Sequence, residues 1–408
     1  MTINPIKSTT LAQFDAAEQT VLAQLALKVQ HAFVTGAGGF LGKAICLRLL
    51  AAGIKVTGFA RGHYPELETL GVVMLQGDLV NKDQLQQAMQ GCDIVFHVAS
   101  KAGVWGDRDS YFCPNVKGAA NVIAACKALK INKLVYTSTP SVTFAGQDES
   151  GIDESTPYAT SFLNYYAHSK AIAEKMMLDA NQVGDVSVES AAATQVTQVT
   201  QVTQATQATT ANISGINSAS TQATIPNTSQ VTAPYALKTV ALRPHLIWGP
   251  GDPHLVPRVL ARGRLDKLKL VGREDKLVDT IYIDNAAYAH VLAALELCQA
   301  KPKCQGKAYF LSNDEPITMA KMLNLILACD ALPPVTKRVP QSVAYVAGAV
   351  LETVYFLLKK QEEPMMTRFV ARQLSCSHYF DISAAKRDLG YRALISINEG
   401  MARLKASL

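Results

Sequence analysis

Residues 35–42 of this chain read TGAGGFLG and link a predicted strand, HAFVT at 31–35, to a predicted helix, FLGKAICLRLLAAG at 40–53. A glycine turn between a strand and a helix is the setting of a dinucleotide-binding loop, because the free N–H groups of the helix N-terminus bind a diphosphate. Gly36 would permit the tight turn and Gly39 the approach of the diphosphate. Gly42 would let the helix pack closely on the sheet. The motif therefore predicts a dinucleotide site.

The same alternation continues along the chain. Strands are predicted at 55–60, 72–78, 93–99, 133–138 and 237–244, and helices at about 82–90, 115–129 and 162–181. Helices are also predicted near 285–299, 318–329 and 342–360. Alternating strands and helices are typical of an α/β fold with a doubly wound parallel sheet of the Rossmann type. A smaller C-terminal substrate subdomain is expected beside it.

Five segments are predicted. Residues 1–30 form an N-terminal helical extension, with an amphipathic helix at 10–28, and 31–185 form the dinucleotide-binding domain. Residues 186–234 form a disordered insertion, because 190–237 carry no charge and 195–209 repeat Q-V/A-T five times. A β-structured repeat is the alternative. Residues 235–250 return to the sheet, and 251–408 are mainly a substrate-binding subdomain with returning Rossmann elements.

The composition excludes some classes of function. The chain has 408 residues, of which 49% are hydrophobic, and its net charge is +6 without a dense basic block, so nucleic acid is not an expected partner. Its eight cysteines form no C-x-x-C pair, which predicts buried thiols in a reducing compartment and no metal site. The N-terminus lacks the plan of a signal peptide. A cytoplasmic protein is expected.

Residues 343–358, VAYVAGAVLETVYFLL, carry only Glu352 and Thr353 as clearly polar positions. A bilayer span needs about 20 apolar residues, so the segment is too short to cross a membrane. A buried or dimer-packing helix is predicted, and a homodimer is expected. The alternative is a helix on a membrane surface or over a lipid pocket, which would give peripheral lipid contact.

The end of the second strand predicts the cofactor. An NAD site places an acid there to bind the ribose 2′-hydroxyl. Here residues 55–64 read KVTGFARGHY, and Arg61 takes the place of the acid. An arginine suits the 2′-phosphate of NADP(H), so NADP(H) is predicted over NAD(H). A solvated surface arginine is the alternative.

A second motif is NYYAHSK at 164–170. Tyr166 and Lys170 are four residues apart and share a helix face, whereas Tyr165 points about 100° away. Taken alone, the pair is a weak signal of chemistry.

The Tyr166–Lys170 pair is one of six segments that occur in a characteristic order along the chain. They are the glycine loop, GDL (77–79), HVAS (97–100), YTSTPSV (136–142), YAHSK (166–170) and LRPHLIWGPGD (242–252). Together they resemble the extended short-chain dehydrogenase/reductases, in particular the 3β-hydroxysteroid dehydrogenase/isomerase family, over about 31–181 and 236–405. VASKAGVWG (98–106) and SYFCPNVKGAANVIAACKAL (110–129) are also similar to the members that reduce 2-alkyl-3-oxoalkanoates in bacterial long-chain olefin biosynthesis.

The resemblance implies roles for particular residues. Tyr166 would be the proton donor, and Lys170 would lower its pKa and hold the nicotinamide ribose. Thr139 would bind the substrate carbonyl, with Ser138 as the fallback, and Tyr165 would be a packing residue. Asp78 would contact the adenine, His97 to Ser100 would line the cofactor cleft, and Pro244 to Ile247 would border the nicotinamide. The implied cofactor contacts are Gly36, Gly39, Phe40, Leu41, Gly42, Arg61, Asp78, Leu79, Val98, Ala99, Ser100, Lys170 and Pro244.

The implied activity is NADPH-dependent reduction of a long-chain, apolar β-keto acid by an enzyme that could assemble with others of the same pathway. Lys101, Arg108 and Arg258 are unranked candidates for binding the substrate carboxylate. The alternatives are a 3β-hydroxysteroid or sterol dehydrogenase, a sugar-nucleotide epimerase or dehydratase, and a cofactor-sensing regulator without catalysis. Such a regulator would have no need of Tyr166, Lys170 and Thr139.

Overall fold

The computed structural model describes residues 11–181, 235–360 and 362–408. The strands before the first gap are β1 (His31–Thr35), β2 (Lys55–Ala60), β3 (Val73–Gln76), β4 (Ile94–His97), β5 (Lys133–Thr137) and β6 (Glu149–Ile152). The helices there are α1 (Ala16–Ala26), α2 (Phe40–Ala51), α3 (Pro65–Thr69), α4 (Lys82–Ala88), α5 (Arg108–Phe112), α6 (Gly118–Ala128) and α7 (Tyr165–Asp179). Single 3-10 turns lie at Leu11–Gln13 and Pro140–Val142, and a π turn lies at Cys113–Lys117.

The remaining elements follow residue 235. The strands are β7 (Lys238–Pro244), β8 (Ile247–Trp248), β9 (Leu270–Val271), β10 (Leu277–Val278), β11 (Ile281–Tyr282), β12 (Lys307–Leu311), β13 (Ile317–Thr318), β14 (Arg338–Val339) and β15 (His378–Phe380). The helices are α8 (Leu255–Arg264), α9 (Ile283–Leu297), α10 (Met319–Cys329), α11 (Gln341–Leu357), α12 (Arg368–Ser375), α13 (Ser383–Leu389) and α14 (Ile397–Ser407).

The central sheet has seven strands in the order β12-β7-β5-β4-β1-β2-β3, and all neighbouring pairs are parallel. This confirms the predicted doubly wound, Rossmann-type fold. The chain starts in the middle of the sheet at β1, runs outward through β2 and β3, and returns beside β1 with β4. The order therefore reverses between β1 and β4, and open α/β sheets bind their ligands at such a reversal, beyond the carboxyl ends of the strands.

The N-terminal helix α1 packs on the sheet domain through fully buried Leu22 and Leu25. The buried Glu18 of this helix pairs with Arg48 of α2 at 2.6 Å, and the same guanidinium reaches Asp284 of α9 at 2.8 Å. A buried charge is stable only when it is paired. The N-terminal extension is thus joined to two helices of the fold by one arginine.

Not all of the predicted segments fall within the residues that the structure describes. The predicted insertion at 186–234 lies outside the described residues. The described residues before 182 and those after 236, including the predicted substrate-binding region, belong to one compact unit. A four-stranded sheet of order β13-β10-β15-β6 brings residues of that region beside β6 of the first half.

Helix α11 corresponds to the apolar segment 343–358. It is not buried within the chain, and the other form of the prediction, a helix that packs in a dimer, stays a prediction. Only Ala344 and Gly348 of this helix are buried. Val346 is 60% exposed, Val350 56% and Phe356 75%. Within the part of the chain that the structure describes, no helix has the length and hydropathy needed to cross a membrane.

Candidate active site

A cleft of about 1240 Å³ opens beyond the carboxyl ends of the sheet strands. Its lining includes three of the four residues predicted to take part in catalysis, Tyr166, Thr139 and Ser138. All the predicted cofactor contacts except Lys170 also line it: Gly36, Gly39, Phe40, Leu41, Gly42, Arg61, Asp78, Leu79, Val98, Ala99, Ser100 and Pro244. The structure therefore brings together residues that are up to about two hundred positions apart in the sequence.

The glycine loop has a geometry that side chains would disrupt. Gly36 has a φ of +67°, and a Cβ atom there would lie 2.8 Å from the Cα atom of Ala99. A Cβ atom on Gly42 would lie 2.1 Å from the carbonyl oxygen of Gly36, so helix and loop touch backbone to backbone. The ring of Tyr64 packs over Gly38, where a Cβ atom would be 2.2 Å away. Sequence reasoning gave Gly38 no role.

The start of α2 fits the diphosphate of a dinucleotide. Gly39 is the N-cap residue and supplies no side-chain hydrogen bond to the first turn. The N–H groups of that turn therefore remain available to an anion, which the helix dipole also favours. Phe40 and Leu41 of the same turn border the cleft. These residues would hold the diphosphate.

Arg61 follows the last residue of β2, is exposed and lines the cleft. Its backbone carbonyl accepts a hydrogen bond from Gln76 Nε2 at 2.8 Å. Within residues 11–181, 235–360 and 362–408, its guanidinium has no ion-pair partner. The Asp78 carboxylate, which also lines the cleft, accepts from the backbone N–H of Val80 at 3.1 Å. Arg61 is thus the charged group at the position where an NAD site has an acid, and its role stays a prediction.

The Thr139 hydroxyl is the hydrogen-bonding group that acts on the phenol of Tyr166. Burial raises the pKa of Tyr166, and the hydrogen bond with Thr139 partly opposes that rise. Thr139 also accepts from the backbone N–H of Ser141 at 3.2 Å, which fixes its side chain at the start of the 3-10 turn. The buried Ser138 hydroxyl lies in the same cleft without a hydrogen-bond partner among the described residues. Of the two predicted hydroxyls, Thr139 is the one paired with the phenol.

Tyr165 lies outside this arrangement. It is 44% exposed, and its ring meets Phe112 edge to face with the centroids 6.5 Å apart. The predicted orientation of the two tyrosines is correct, because successive residues of a helix point in different directions.

Lys170 is fully buried beneath the cleft. Its Nζ donates to the carbonyl oxygen of Thr137 at 2.6 Å and lies 4.2 Å from the centroid of the Tyr136 ring. Desolvation lowers the pKa of Lys170 to about 7, and the charge of Glu174 partly opposes this. That Lys170, together with the oxidised nicotinamide, lowers the pKa of Tyr166 stays a prediction; in the structure the Thr139 hydroxyl has that effect. Lys170 also connects α7 to the end of β5.

A buried network next to Lys170 was not predicted. The Glu174 carboxylate accepts from Arg243 Nη2 at 2.5 Å and from the Tyr158 hydroxyl at 2.7 Å. Glu174 is one helical turn from Lys170, and this spacing was visible in the sequence. The pairing of Glu174 with Arg243 of β7 was not visible there. The network keeps a negative charge close to the buried lysine.

His97 does not line the cleft, contrary to the prediction for His97 to Ser100. It is buried with its Nδ1 atom 2.8 Å from the Thr35 hydroxyl, and burial lowers its pKa to about 3. The Thr35 oxygen also accepts from the backbone N–H groups of Val98 and Ala99, both at 3.1 Å. Residues 98–100 do border the cleft, held there by Thr35.

The part of the cleft away from the glycine loop is mainly apolar. Its walls come from α8, α10, α11, α12 and the short strands β9 and β14. The apolar side chains are Leu255, Val259, Leu268, Leu270, Val271, Met319, Met322, Leu323, Val339, Val343, Ala344, Ala347, Leu351, Met365, Met366, Phe369, Val370 and Leu374.

The three cationic residues that were candidates for binding the substrate carboxylate differ in their position and in their partners. Lys101 lines the cleft, whereas Arg108 lies outside its lining, with its guanidinium 4.1 Å from the centroid of the Phe112 ring. Arg258 lines the cleft, but both of its terminal nitrogens bind the Glu363 carboxylate, at 2.9 and 3.1 Å.

Two sequence comparisons bear on this site. The model of the 3-beta hydroxysteroid dehydrogenase/isomerase family matches residues 33–189 and 216–332. The 2-alkyl-3-oxoalkanoate reductase of Shewanella oneidensis is 76% identical over 394 residues, covering 97% of this chain and 90% of that protein. The decarboxylating sterol-4-alpha-carboxylate 3-dehydrogenase of Mus musculus is 28% identical over 379 residues, covering 92% of this chain and 90% of that protein.

A solved structure shares the fold. The UDP-glucuronic acid 4-epimerase from Bacillus cereus, in complex with NAD, superposes with a TM-score of 0.61 at 18% identity. The match covers 92% of this chain and 98% of that one. The likeness is one of architecture, because so low an identity does not carry substrate choice.

Proposed function

Because this chain belongs to the 3-beta hydroxysteroid dehydrogenase/isomerase family of oxidoreductases, we propose that it is an NADPH-dependent reductase of 2-alkyl-3-oxoalkanoates. Its products would be 2-alkyl-3-hydroxyalkanoates. The observation that carries the proposal is that the Tyr166 phenol and the Thr139 hydroxyl that acts on it line one cleft, whose remaining walls are mainly apolar. The pair suits a carbonyl, and the walls suit long alkyl chains.

The two hydroxyls act on the carbonyl oxygen. Each can donate one hydrogen bond to it, which polarises the carbonyl and stabilises negative charge as that charge develops on the oxygen. Reduced nicotinamide supplies the hydride that the carbonyl carbon accepts. Tyr166 then gives its proton to the oxygen, and burial, which keeps the phenol protonated, suits it to act as an acid.

Lys170 positions the two hydroxyls, and the glycine loop and Arg61 position the cofactor. The Lys170–Thr137 hydrogen bond fixes the helix of Tyr166 against the strand that leads to Thr139. The N-terminus of α2 binds the diphosphate, and Arg61 binds the 2′-phosphate of NADPH. A guanidinium binds a phosphate through paired charge-assisted hydrogen bonds, which a ribose hydroxyl cannot match.

The names of the two relatives support the substrate class. In a 2-alkyl-3-oxoalkanoate, the carboxylate is attached to the carbon next to the one that reacts. A sterol 4-carboxylate that is oxidised at position 3 has the same relationship. The first relative covers nearly the whole chain at high identity, which favours the acyclic acid for this protein.

The substrate class is tested with a series of 2-alkyl-3-hydroxy acids of increasing chain length, oxidised with NADP⁺ in the reverse direction. Each methylene buried in the apolar walls contributes about 0.8 kcal/mol, so two more should raise kcat/KM by up to about tenfold. 3β-Hydroxysteroids and UDP-sugars are assayed beside them. Turnover of either of those, with none of the acids, would refute the proposal.

Two substitutions on α11 sharpen the test. Leu351 lines the cleft, whereas the adjacent Val350 is 56% exposed. Leu351→Asp should abolish the gain in kcat/KM with chain length, because it places a charge against the alkyl chain. Val350→Asp makes a comparable change on the outer face and should keep the gain. If both variants lost the gain in kcat/KM equally, α11 would not form part of the site that binds the alkyl chain.

A further inference from the structure

Lys101 is the first residue after the cleft-lining stretch 98–100, and its backbone is tied to the helix of Tyr166. The Asn115 side chain accepts from the Lys101 N–H at 2.7 Å and donates to the Lys101 carbonyl at 3.1 Å. The same amide donates to Ser169 Oγ at 2.9 Å, and Ser169 Oγ donates to the Tyr166 carbonyl at 2.9 Å. This chain of hydrogen bonds holds Lys101 in a fixed position relative to Tyr166.

The ammonium group of Lys101 has donors to spare. It donates to Ser110 Oγ at 2.6 Å and lies 4.6 Å from the centroid of the Tyr111 ring. An ammonium has three donors, so this leaves two for a ligand. Lys101 forms no ion pair with the residues that the structure describes. The charge of Lys101 also acts on Asp107, but that exposed carboxylate caps α5 by accepting from Ser110 N–H at 2.9 Å.

Lys101 and Tyr166 line the same cleft, and the ring of Tyr111 lies against the ammonium of Lys101. The pKa of Tyr111 is raised to about 12, first by burial, then by the charge of Glu363, with a further contribution from Tyr166. The ring beneath the ammonium is therefore within electrostatic range of Tyr166. The carboxylate of Glu363 is paired with Arg258 through two contacts and not with Lys101, so the ammonium of Lys101 stays available to another anion.

We propose that Lys101 binds the substrate carboxylate and so determines the preference for β-oxygenated acids. The inference rests on the proposed function. In such a substrate a single carbon separates the carboxylate from the reacting carbon, so its anion site must lie next to the Tyr166–Thr139 pair. Lys101 is an unpaired cation in the same cleft, with its backbone tied to that of Tyr166, whereas Arg258 has an ion-pair partner and Arg108 is outside.

The test compares an acid with its uncharged ester. A 2-alkyl-3-hydroxy acid and its methyl ester are oxidised with NADP⁺ by wild type, Lys101→Met and Lys101→Arg. The methionine keeps the length of the side chain and removes its charge. We expect Lys101→Met to lower kcat/KM for the acid about ten- to hundred-fold and to leave that for the ester nearly unchanged. Lys101→Arg should restore most of the acid-to-ester ratio.

Arg108→Met removes a nearby cation outside the cleft and should leave the acid-to-ester ratio unchanged. NADPH binding by fluorescence checks that each variant keeps its cofactor site. Equal losses for acid and ester in Lys101→Met would overturn the inference, and so would a lowered ratio in Arg108→Met. Wild type that oxidises neither compound would instead refute the proposed function, so the two failures are distinguishable.

Discussion

The ammonium group of Lys170 donates a hydrogen bond to the carbonyl oxygen of Thr137, with 2.6 Å between Nζ and O. Thr137 is the last residue of β5, and Thr139 follows two residues later. Tyr166 is one helical turn before Lys170. One buried contact therefore sets the distance between the two elements that carry the reacting hydroxyls. Burying a lysine lowers the stability of the fold, but here the buried lysine positions α7 against β5.

The free-energy cost of burying Lys170 should appear as a pH dependence of stability that Lys170→Met removes. The pKa of Lys170 is about 7 in the folded protein, below its ordinary value of 10.5. Between those values the unfolded chain binds a proton that the folded protein lacks, so this group makes the wild type more stable as the pH rises. Methionine does not titrate.

The free energy of unfolding of wild type minus that of Lys170→Met should therefore increase from the lower to the upper end of this pH window. Denaturant unfolding without cofactor measures it, and the other titrating groups cancel in the difference. A difference that stays constant with pH would show that the lysine is not desolvated.

Tyr166→Phe should lower kcat about 100- to 10,000-fold, as expected for loss of a general acid, and should leave NADPH binding intact. Tyr165→Phe makes the same change one residue away and should keep most of the activity, because that ring is exposed outside the cleft. Steady-state kinetics and cofactor fluorescence measure both effects. If Tyr165→Phe proved the inactive variant, the assignment of the acid would be wrong.

Thr139→Val should lower kcat about 100- to 1000-fold, since it removes one donor to the carbonyl oxygen. It also removes the hydrogen bond that lowers the pKa of Tyr166, so the basic phenolate needed for oxidation should form only at higher pH. The alkaline rise of kcat in the oxidative direction should move upward. Thr139→Ser should restore both properties. Ser138→Ala should cost less than Thr139→Val, and the reverse order would make Ser138 the substrate-binding hydroxyl.

Arg61→Asp should reverse the cofactor preference. The wild type should favour NADPH about ten- to hundred-fold in kcat/KM, because charged hydrogen bonds contribute roughly 1.5–3 kcal/mol. Exposure of Arg61 to solvent favours the lower half of that range, and salt should reduce it further. The control is Lys55→Asp, an equal charge change at the opposite end of β2. A preference that responds equally to both variants would reflect net charge and not a phosphate contact.

Much of the fold was predictable because parallel strands that are buried on both faces read as apolar runs between helices. β1 and β2 have the predicted bounds, and the other predicted strands and helices through β7 lie within about six residues of the predictions. α3, α5 and β6 were not predicted. β12, the outer strand of the sheet, was missed. Its five residues, KAYFL, are too few for periodicity to separate a strand from a helix.

Most of the residues that line the cleft were predicted one by one, but their contacts were not. Spacing separated Tyr166 from Tyr165, and the resemblance had already placed Thr139 ahead of Ser138; the structure adds that Thr139 acts on the phenol. The partner of Lys170 is a backbone carbonyl, which no sequence pattern identifies. The apolar composition of α11 did not show which of its faces is covered within the chain, and the structure leaves its outer stripe exposed.

The stoichiometry of cofactor use tests the central claim most directly. Purified protein is incubated with NADPH and a 2-alkyl-3-oxoalkanoate, and the loss of NADPH is compared with the 3-hydroxy acid formed, measured by mass spectrometry. The proposed reductase consumes one NADPH for each hydroxy acid. Interconversion of UDP-sugars without net cofactor consumption, together with no reduction of the keto acid, would contradict the account.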